Sequence, residues 1–383
     1  MKLLYLCPEY PPAPCGGVGV FYQTLATEAA RRGLSVSVLS ADPAGREPYH
    51  RKEAGVDVLR IPASGREIPD RLRFRREAGL AVERLRPDLV ETYDWSGPVP
   101  GRIAAPLVVR MHGASTVRAG WFGRRPSRLL AWCERQTLRS ADALAAVSDW
   151  IGRHTASTFP LGQAWTTLPN GVDADLFRPD SSVWTDQESP RRPEALYVGS
   201  VREDKGAPLL LDAFAVVARR RPDLHLRMTG ALPPQGLAAP FLADRLAGLE
   251  PGVRRRIRFD GRQQRASLPS LYQQAAFCVF PSSGEAHPMA CLEAMACGAP
   301  VIANAAGGMG ETIAHERSGW LVQSRDPSVW AAAMERALAS PEQCRLLGQA
   351  ARRRVESCYR LDRMVDRNLQ FYALVAAGRA VAA

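Results

Sequence analysis

Two glutamates stand eight residues apart, Glu285 and Glu293, in a stretch running from Ser282 to Val301. The residues Phe277 to Phe280 read as a strand end, followed by a small-residue loop and a short helix. Pro288 suits the first helical position and Gly298 the residue just past the end. Between them Met289, Ala290, Cys291, Leu292, Ala294, Met295, Ala296 and Cys297 are all apolar, so the helix is expected to be buried all round. A carboxylate at Glu293 then needs a partner, because an unpaired buried charge is expensive. Backbone amides would satisfy it, and so would ligand hydroxyls. Glu285 lies in the loop before the helix, where the free N–H groups of Met289 and Ala290 form a natural anion site. An anion cradle beside two carboxylates suits a ligand that carries both phosphate and sugar.

Cations are placed to meet such a ligand. In Leu196 to Gly206 a strand leads into a loop holding Arg202 and Lys205, and Gly206 opens the next helix. Two cations beside a helix N-terminus can neutralise a diphosphate leaving group; an ordinary surface loop is the plain alternative. The chain has only three lysines against 47 arginines, which sets Lys205 apart. Near the start, Gly16-Gly17-Val18-Gly19 follows a strand and opens a helix, so a ligand could approach its backbone. A tight turn explains the same residues. A dinucleotide fingerprint would need a third glycine where Tyr22 stands, although Asp42 partly mimics its ribose-binding acid. His112 follows the strand-like Val108 to Met111, at the end where open α/β sheets bind ligands, and a capping role is the alternative. Asp94 occupies the equivalent edge of Leu89–Tyr93. Gly307-Gly308-Met309-Gly310 opens another helix. Asp173-Ala174-Asp175 has the look of a metal-binding pair, but it follows the turn Pro169-Asn170-Gly171-Val172, and no metal is expected.

The elements that must hold these residues alternate. Short apolar runs at Leu3–Cys7, Leu34–Ser40, Val56–Ile61, Leu89–Tyr93, Leu107–Met111, Ala143–Val147 and Ala164–Leu168 read as strands, with helices between them. The second half repeats the pattern, with strands near 195–199, 224–229, 255–259, 276–280, 300–303 and 319–322. Continuous apolar strands separated by helices imply a parallel sheet covered on both faces. Pro179 to Pro193 is the most linker-like segment. The expected division is therefore 1–178 and 179–359, and a final amphipathic helix over 360–383 could cross back to the first domain.

At 383 residues, 46% hydrophobic and 23% charged, the composition is that of a soluble globular protein with room for two cores. The broken apolar start does not read as a signal peptide, and no run approaches a membrane span. The eight cysteines include no C-x-x-C pair, so neither a zinc site nor a disulfide framework is indicated. The expected address is cytoplasmic. The net charge of +11 concentrates locally: residues 118–139 carry six arginines against one glutamate, with Trp121 and Phe122 between them. Such a surface is either a solvated face or a site for an anionic partner. The solvated face is the favoured reading of the two, with peripheral contact at the inner face of an anionic membrane the alternative, and no nucleic-acid partner is expected.

Together these pieces resemble family 4 glycosyltransferases, retaining enzymes of the GT-B fold. The likeness rests on Gly16-Gly17-Val18-Gly19, His112-Gly113, Pro169 to Asp173, Lys205-Gly206, and Glu285 with Glu293 followed by Ala294 to Val301. It implies two Rossmann-like, doubly wound parallel-sheet domains facing across a cleft, with a nucleotide-sugar donor between them as co-substrate and no other cofactor. Carried over, Glu293 would bind the ribose and Glu285 would face the donor hexose. Lys205 would hold the diphosphate, the amides of Gly16 and Gly17 would close over it, and His112 would sit beside the transferring sugar. The acceptor implied is a sugar, a lipid-linked molecule or a small molecule. Two departures stand out. Ser200 occupies a position where relatives often have arginine, so that Arg202 is its expected substitute, and Pro288 replaces a frequent glycine. The other readings are a nicotinamide-dependent oxidoreductase, against which Tyr22 speaks, and a non-catalytic nucleotide-sugar binder.

Overall fold

The computed structural model describes residues 1–13, 15–95, 97–99, 101–180 and 192–379. Most of the linker-like segment expected at 179–193, namely 181–191, thus lies outside the described residues. The chain divides into two units, Met1–Asn170 with Arg363–Ala383, and Gly171–Asp362. Val172, Ala174 and Phe177 stand before the expected division at 178, yet all three are buried in the second unit's core.

In the first unit β1 (Lys2–Leu6), α1 (Gly17–Arg31), β2 (Ser35–Asp42), β3 (Tyr49–Glu53), β4 (Val56–Pro62), α2 (Glu67–Leu85), β5 (Leu89–Tyr93) and β6 (Leu107–Met111) follow in order. Then come α3 (Ser115–Trp121), α4 (Arg128–Arg139), β7 (Ala143–Ala146), α5 (Asp149–Thr158) and β8 (Trp165–Thr167). The strands form one sheet in the order β3-β4-β2-β1-β5-β6-β7-β8, parallel except where β3 pairs antiparallel to β4. Strands β5, β6 and β7 are buried at every position, as continuous apolar runs in a parallel sheet must be.

The sequence pattern did not reveal β3. Its residues, Tyr49-His50-Arg51-Lys52-Glu53, are polar because it is an edge strand with little to bury. It joins β4 through Ala54 and Gly55, both at positive φ, the hairpin geometry that matches strand twist.

The second unit holds β9 (Arg192–Val198), α6 (Ala207–Arg220), β10 (His225–Thr229), α7 (Pro240–Gly248), α8 (Pro251–Arg254), β11 (Ile257–Gly261), α9 (Leu268–Gln274) and β12 (Ala275–Phe280). It continues with α10 (Met289–Ala296), β13 (Val301–Asn304), α11 (Met309–Thr312), β14 (Trp320–Val322), α12 (Pro327–Ala339) and α13 (Pro341–Cys358). Its strands are ordered β11-β10-β9-β12-β13-β14, and each pairing is parallel. Order reverses at β9/β12, the kind of switch point where loops splay apart and ligands bind.

The last helix, α14 (Leu361–Ala376), belongs almost wholly to the first unit. There Asn368 accepts from Arg110, and that guanidinium is itself paired with Glu91 through bonds of 2.7 and 3.1 Å. Arg110 and Glu91 are fully buried. Truncating either partner would leave a naked interior charge, so the pair ties the helix to β5 and β6.

Candidate active site

In the second unit three loops meet beyond the carboxyl ends of β9, β12 and β13. Gly206 sits at φ 76°, and a Cβ there would lie 2.2 Å from the Pro281 carbonyl oxygen. Only glycine fits that approach. It brings the Lys205 ammonium to the Glu285 carboxylate, Nζ to Oε1 2.6 Å, while the Ser283 N–H donates to the Asp204 carbonyl at 3.0 Å. The third loop closes on the same glutamate. Gly307, at φ 73°, would place a Cβ 2.2 Å from the Glu285 carbonyl oxygen, which accepts from the Gly308 N–H at 2.7 Å. Arg202 stands nearby but grips Asp204, Nε to Oδ1 2.7 Å. In this structure both expected phosphate cations therefore hold carboxylates, and a polyphosphate would have to compete for them.

Pro288 is the residue before α10, in extended conformation, rather than its first helical residue. Its carbonyl accepts from the Leu292 N–H, which leaves the N–H groups of Met289 and Ala290 outside the helical ladder. Both residues are partly exposed, and unpaired amides at a helix start are what an anion site requires. Glu293 is 5% exposed. Its partners are side chains: Arg265 at 3.0 Å and the Tyr272 hydroxyl, which donates at 3.3 Å. Arg265 also lies over the Phe177 ring, 5.0 Å from its centroid. Burial pushes the Glu293 carboxyl above its ordinary range, with Arg265 and Tyr272 opposing. Neither partner was legible beforehand, because Arg265 sits in an arginine run that reads as a solvated face. His287 is buried against Tyr359, 5.3 Å between ring centroids, and burial pushes its imidazole down to about 3.

In the first unit five consecutive amides are held by two buried carboxylates. Asp94 accepts from the N–H groups of His112 (3.0 Å), Gly113 (3.1 Å) and Ala114 (2.8 Å). Glu134 accepts from Ser115 (2.8 Å) and Thr116 (3.1 Å). This satisfies the first turn of α3, an element that periodicity alone does not predict. Burial pushes the Asp94 carboxyl up to about 7, assisted by neighbouring Glu134 and opposed by the three amides. The His112 ring packs against Phe21 and Tyr22 of α1, at 5.1 and 6.2 Å between centroids, so α1 and the His112 loop form one assembly. Tyr22, in the place of the absent third glycine, is thus a core residue. Gly16, the residue capping α1, donates its N–H to the Glu9 carboxylate at 2.9 Å. The amide expected to close over a diphosphate is therefore committed to Glu9 here, with Gly17 next to it as the first helical residue.

The remaining motifs serve turns. Asp42 accepts from the Ala44 N–H and the Tyr49 hydroxyl, holding the start of β3. Asp173 accepts from the N–H groups of Asp175 and Leu176, and Asp175 pairs with Arg360 at 3.3 Å. Among the described residues no cluster of three or more His, Cys, Asp or Glu is arranged to hold a metal ion.

Comparison with known proteins identifies the family and the fold. The profile for Glycosyl transferases group 1 matches residues 184–354, and that for Glycosyltransferase Family 4 matches residues 15–176. A D-inositol 3-phosphate glycosyltransferase of Nocardiopsis dassonvillei is 31% identical over 96% of this chain and 91% of its own length. The structure of a sucrose-phosphate synthase from Thermosynechococcus elongatus superposes with a TM-score of 0.82 over 99% of this chain and 100% of that one, at 24% identity. Anabaena HepE, solved in complex with UDP-glucose, gives a TM-score of 0.72 over 97% and 99% of the two chains at 17% identity. The two units have the parallel-sheet α/β architecture of these GT-B proteins, and the chain belongs to the family 4, group 1 glycosyltransferases.

Proposed function

We propose that this chain is a retaining transferase, moving a hexose from a UDP- or GDP-sugar to a hydroxyl of a glycan, lipid-linked or small-molecule acceptor. The observation that carries the reading is the convergence in the second unit. A lysine–carboxylate pair on two loops comes together with a buried glutamate and two amides outside the helical ladder on α10, at one end of one sheet. The UDP-glucose held by a protein of the same fold supports a nucleotide-sugar donor.

In this reading the diphosphate displaces Glu285 from Lys205 and takes the amides of Met289 and Ala290, with Arg202 as a second cation. These charges stabilise the departing nucleoside diphosphate as the bond from its oxygen to the anomeric carbon lengthens. Glu285, once freed, accepts from hexose hydroxyls. Glu293 accepts from the ribose hydroxyls. His112, fixed through its backbone by Asp94, sits beside the transferring sugar. The acceptor hydroxyl attacks from the face the diphosphate leaves and gives its proton to the leaving phosphate oxygen, so the anomeric configuration is kept. No metal or other cofactor enters. The reaction is placed in the cytoplasm. Among the described residues no helix is long and apolar enough to cross a membrane, so a lipid-linked acceptor would be met by peripheral contact.

A panel of nucleotide sugars, read by released nucleoside diphosphate, tests this. One donor should turn over, and Lys205→Ala and Glu293→Ala should each lower the rate by roughly 100-fold or more. Near-normal turnover in both variants would defeat the assignment.

A further inference from the structure

We infer that the outward face of α2 and α4 in the first unit docks on an anionic lipid bilayer. This deepens the reading above by giving peripheral contact a surface, and it rests on that reading only for its purpose.

Both helices follow rightward crossovers in the sheet, β4 to β5 and β6 to β7, and right-handed connections put them on the same face. They meet across Gly97. Arg75 of α2 donates to the Gly97 carbonyl at 2.7 Å, and a Cβ on Gly97 would lie 2.5 Å from the Cys133 carbonyl oxygen of α4.

Each helix turns apolar side chains outward. Leu72 is 62% exposed, Ile68 and Trp132 53%, and Leu80 and Leu129 46%. Their spacing, Ile68-Leu72-Leu80 and Leu129-Trp132, gives a stripe along each helix. Five such residues on neighbouring helices suit a bilayer interface, which takes leucine and isoleucine into its acyl boundary and an indole at headgroup level.

Charge names the occupant. Arg124, Arg125, Arg128, Arg135 and Arg139 are exposed on or just before α4. The one acid of that helix, Glu134, is fully buried and bound to the amides of Ser115 and Thr116. On α2, Arg73, Arg76 and Arg84 are exposed around the stripe. The acids of α2 are Glu67, paired with Arg71, half-buried Asp70, which accepts from Ser64, half-buried Glu77, and Glu83 toward the far end. The face is therefore apolar in its ridges, balanced in charge along α2 and cationic along α4, and it is the α4 side that is complementary to phosphatidylglycerol-type headgroups.

The test is co-sedimentation of the full chain with vesicles of phosphatidylcholine alone and with about a third phosphatidylglycerol. Binding should require the anionic lipid and fall away in about 0.5 M salt. Arg128→Glu with Arg135→Glu should lower the partition coefficient at least tenfold, and Trp132→Ser several-fold, each with unchanged melting temperature. Absence of binding to anionic vesicles, or binding indifferent to these substitutions, would overturn the proposal. So would a solution dimer that Trp132→Ser dissolves, since the face would then cover a second copy. Vesicle binding by a chain that releases no nucleotide from any donor would sustain the docking surface while removing the transferase reading.

Discussion

Asp94→Asn exchanges one carboxyl oxygen for an amide nitrogen in the buried seat of the His112 loop, and its consequence can be worked with sign and size. The carboxylate accepts three backbone N–H bonds on two oxygens, Oδ1 taking His112 and Oδ2 taking Gly113 and Ala114. Burial nevertheless dominates and lifts its pKa from 3.8 to about 7. The folded protein thus holds a proton that the unfolded chain has already lost between those two values. Stability drawn from this group is fully present below about pH 4 and is lost as pH rises through about 7, a swing of about 4 kcal/mol at 1.36 kcal/mol per unit. Asparagine cannot titrate. It also replaces one acceptor oxygen by an amide donor and so leaves at least one of the three N–H groups unsatisfied, but that cost of about 1–3 kcal/mol per unsatisfied group is independent of pH.

The difference in unfolding free energy between wild type and Asp94→Asn should therefore change by about 4 kcal/mol from pH 4 to pH 8, moving in favour of asparagine. Urea unfolding across that range measures it, and hydrogen exchange at a fixed pH gives its location. Amides 112–114 should exchange faster in the variant, while 115–116, held by Glu134, should not. Parallel stability curves for the two proteins would refute the reasoning, because they would mean Asp94 is ionised in the folded state throughout.

Gly206→Ala should cost on the order of 3 kcal/mol, since it adds a Cβ 2.2 Å from the Pro281 carbonyl oxygen at a φ of 76°; the melting temperature checks it, and an unchanged value would mean the two loops are free to separate. His287 carries the opposite pH sign to Asp94. Burial lowers its pKa from 6.5 to about 3, so the unfolded chain binds the extra proton, and stability present above about pH 6.5 is lost as pH falls through about 3. His287→Phe should flatten that acid limb, and acid titration of unfolding in both proteins would show identical limbs if the imidazole were charged in the fold.

What could be read from the residues, and what could not, divides by the range of the interaction. Glu293 is conspicuous because its neighbours in sequence are all apolar, so the demand for a partner is a local fact. Its partners are not local. Tyr272 and Arg265 come from α9 and the turn before it, and nothing in a run of arginines marks the one that reaches a buried acid. Glu134 is the same case reversed. It stands as one acid among six arginines over residues 118–139, where counting charge makes it a minor term in a basic surface, yet it is the residue that turns into the core to hold α3. Its removal from the outer side of α4 is also what leaves that helix without an exposed acid. Strands β5 to β7 are legible because burial on both sides forces continuous apolar runs, whereas β3 escapes because an edge strand has little to bury. Placement of α14 in the first unit depends on Arg110, Glu91 and Asn368 finding one another across the fold. Periodicity thus recovers the scaffold, since each element obeys its own rule. The site depends on charges that are tolerable only because a distant residue answers them, and the pattern of one chain does not encode that correspondence.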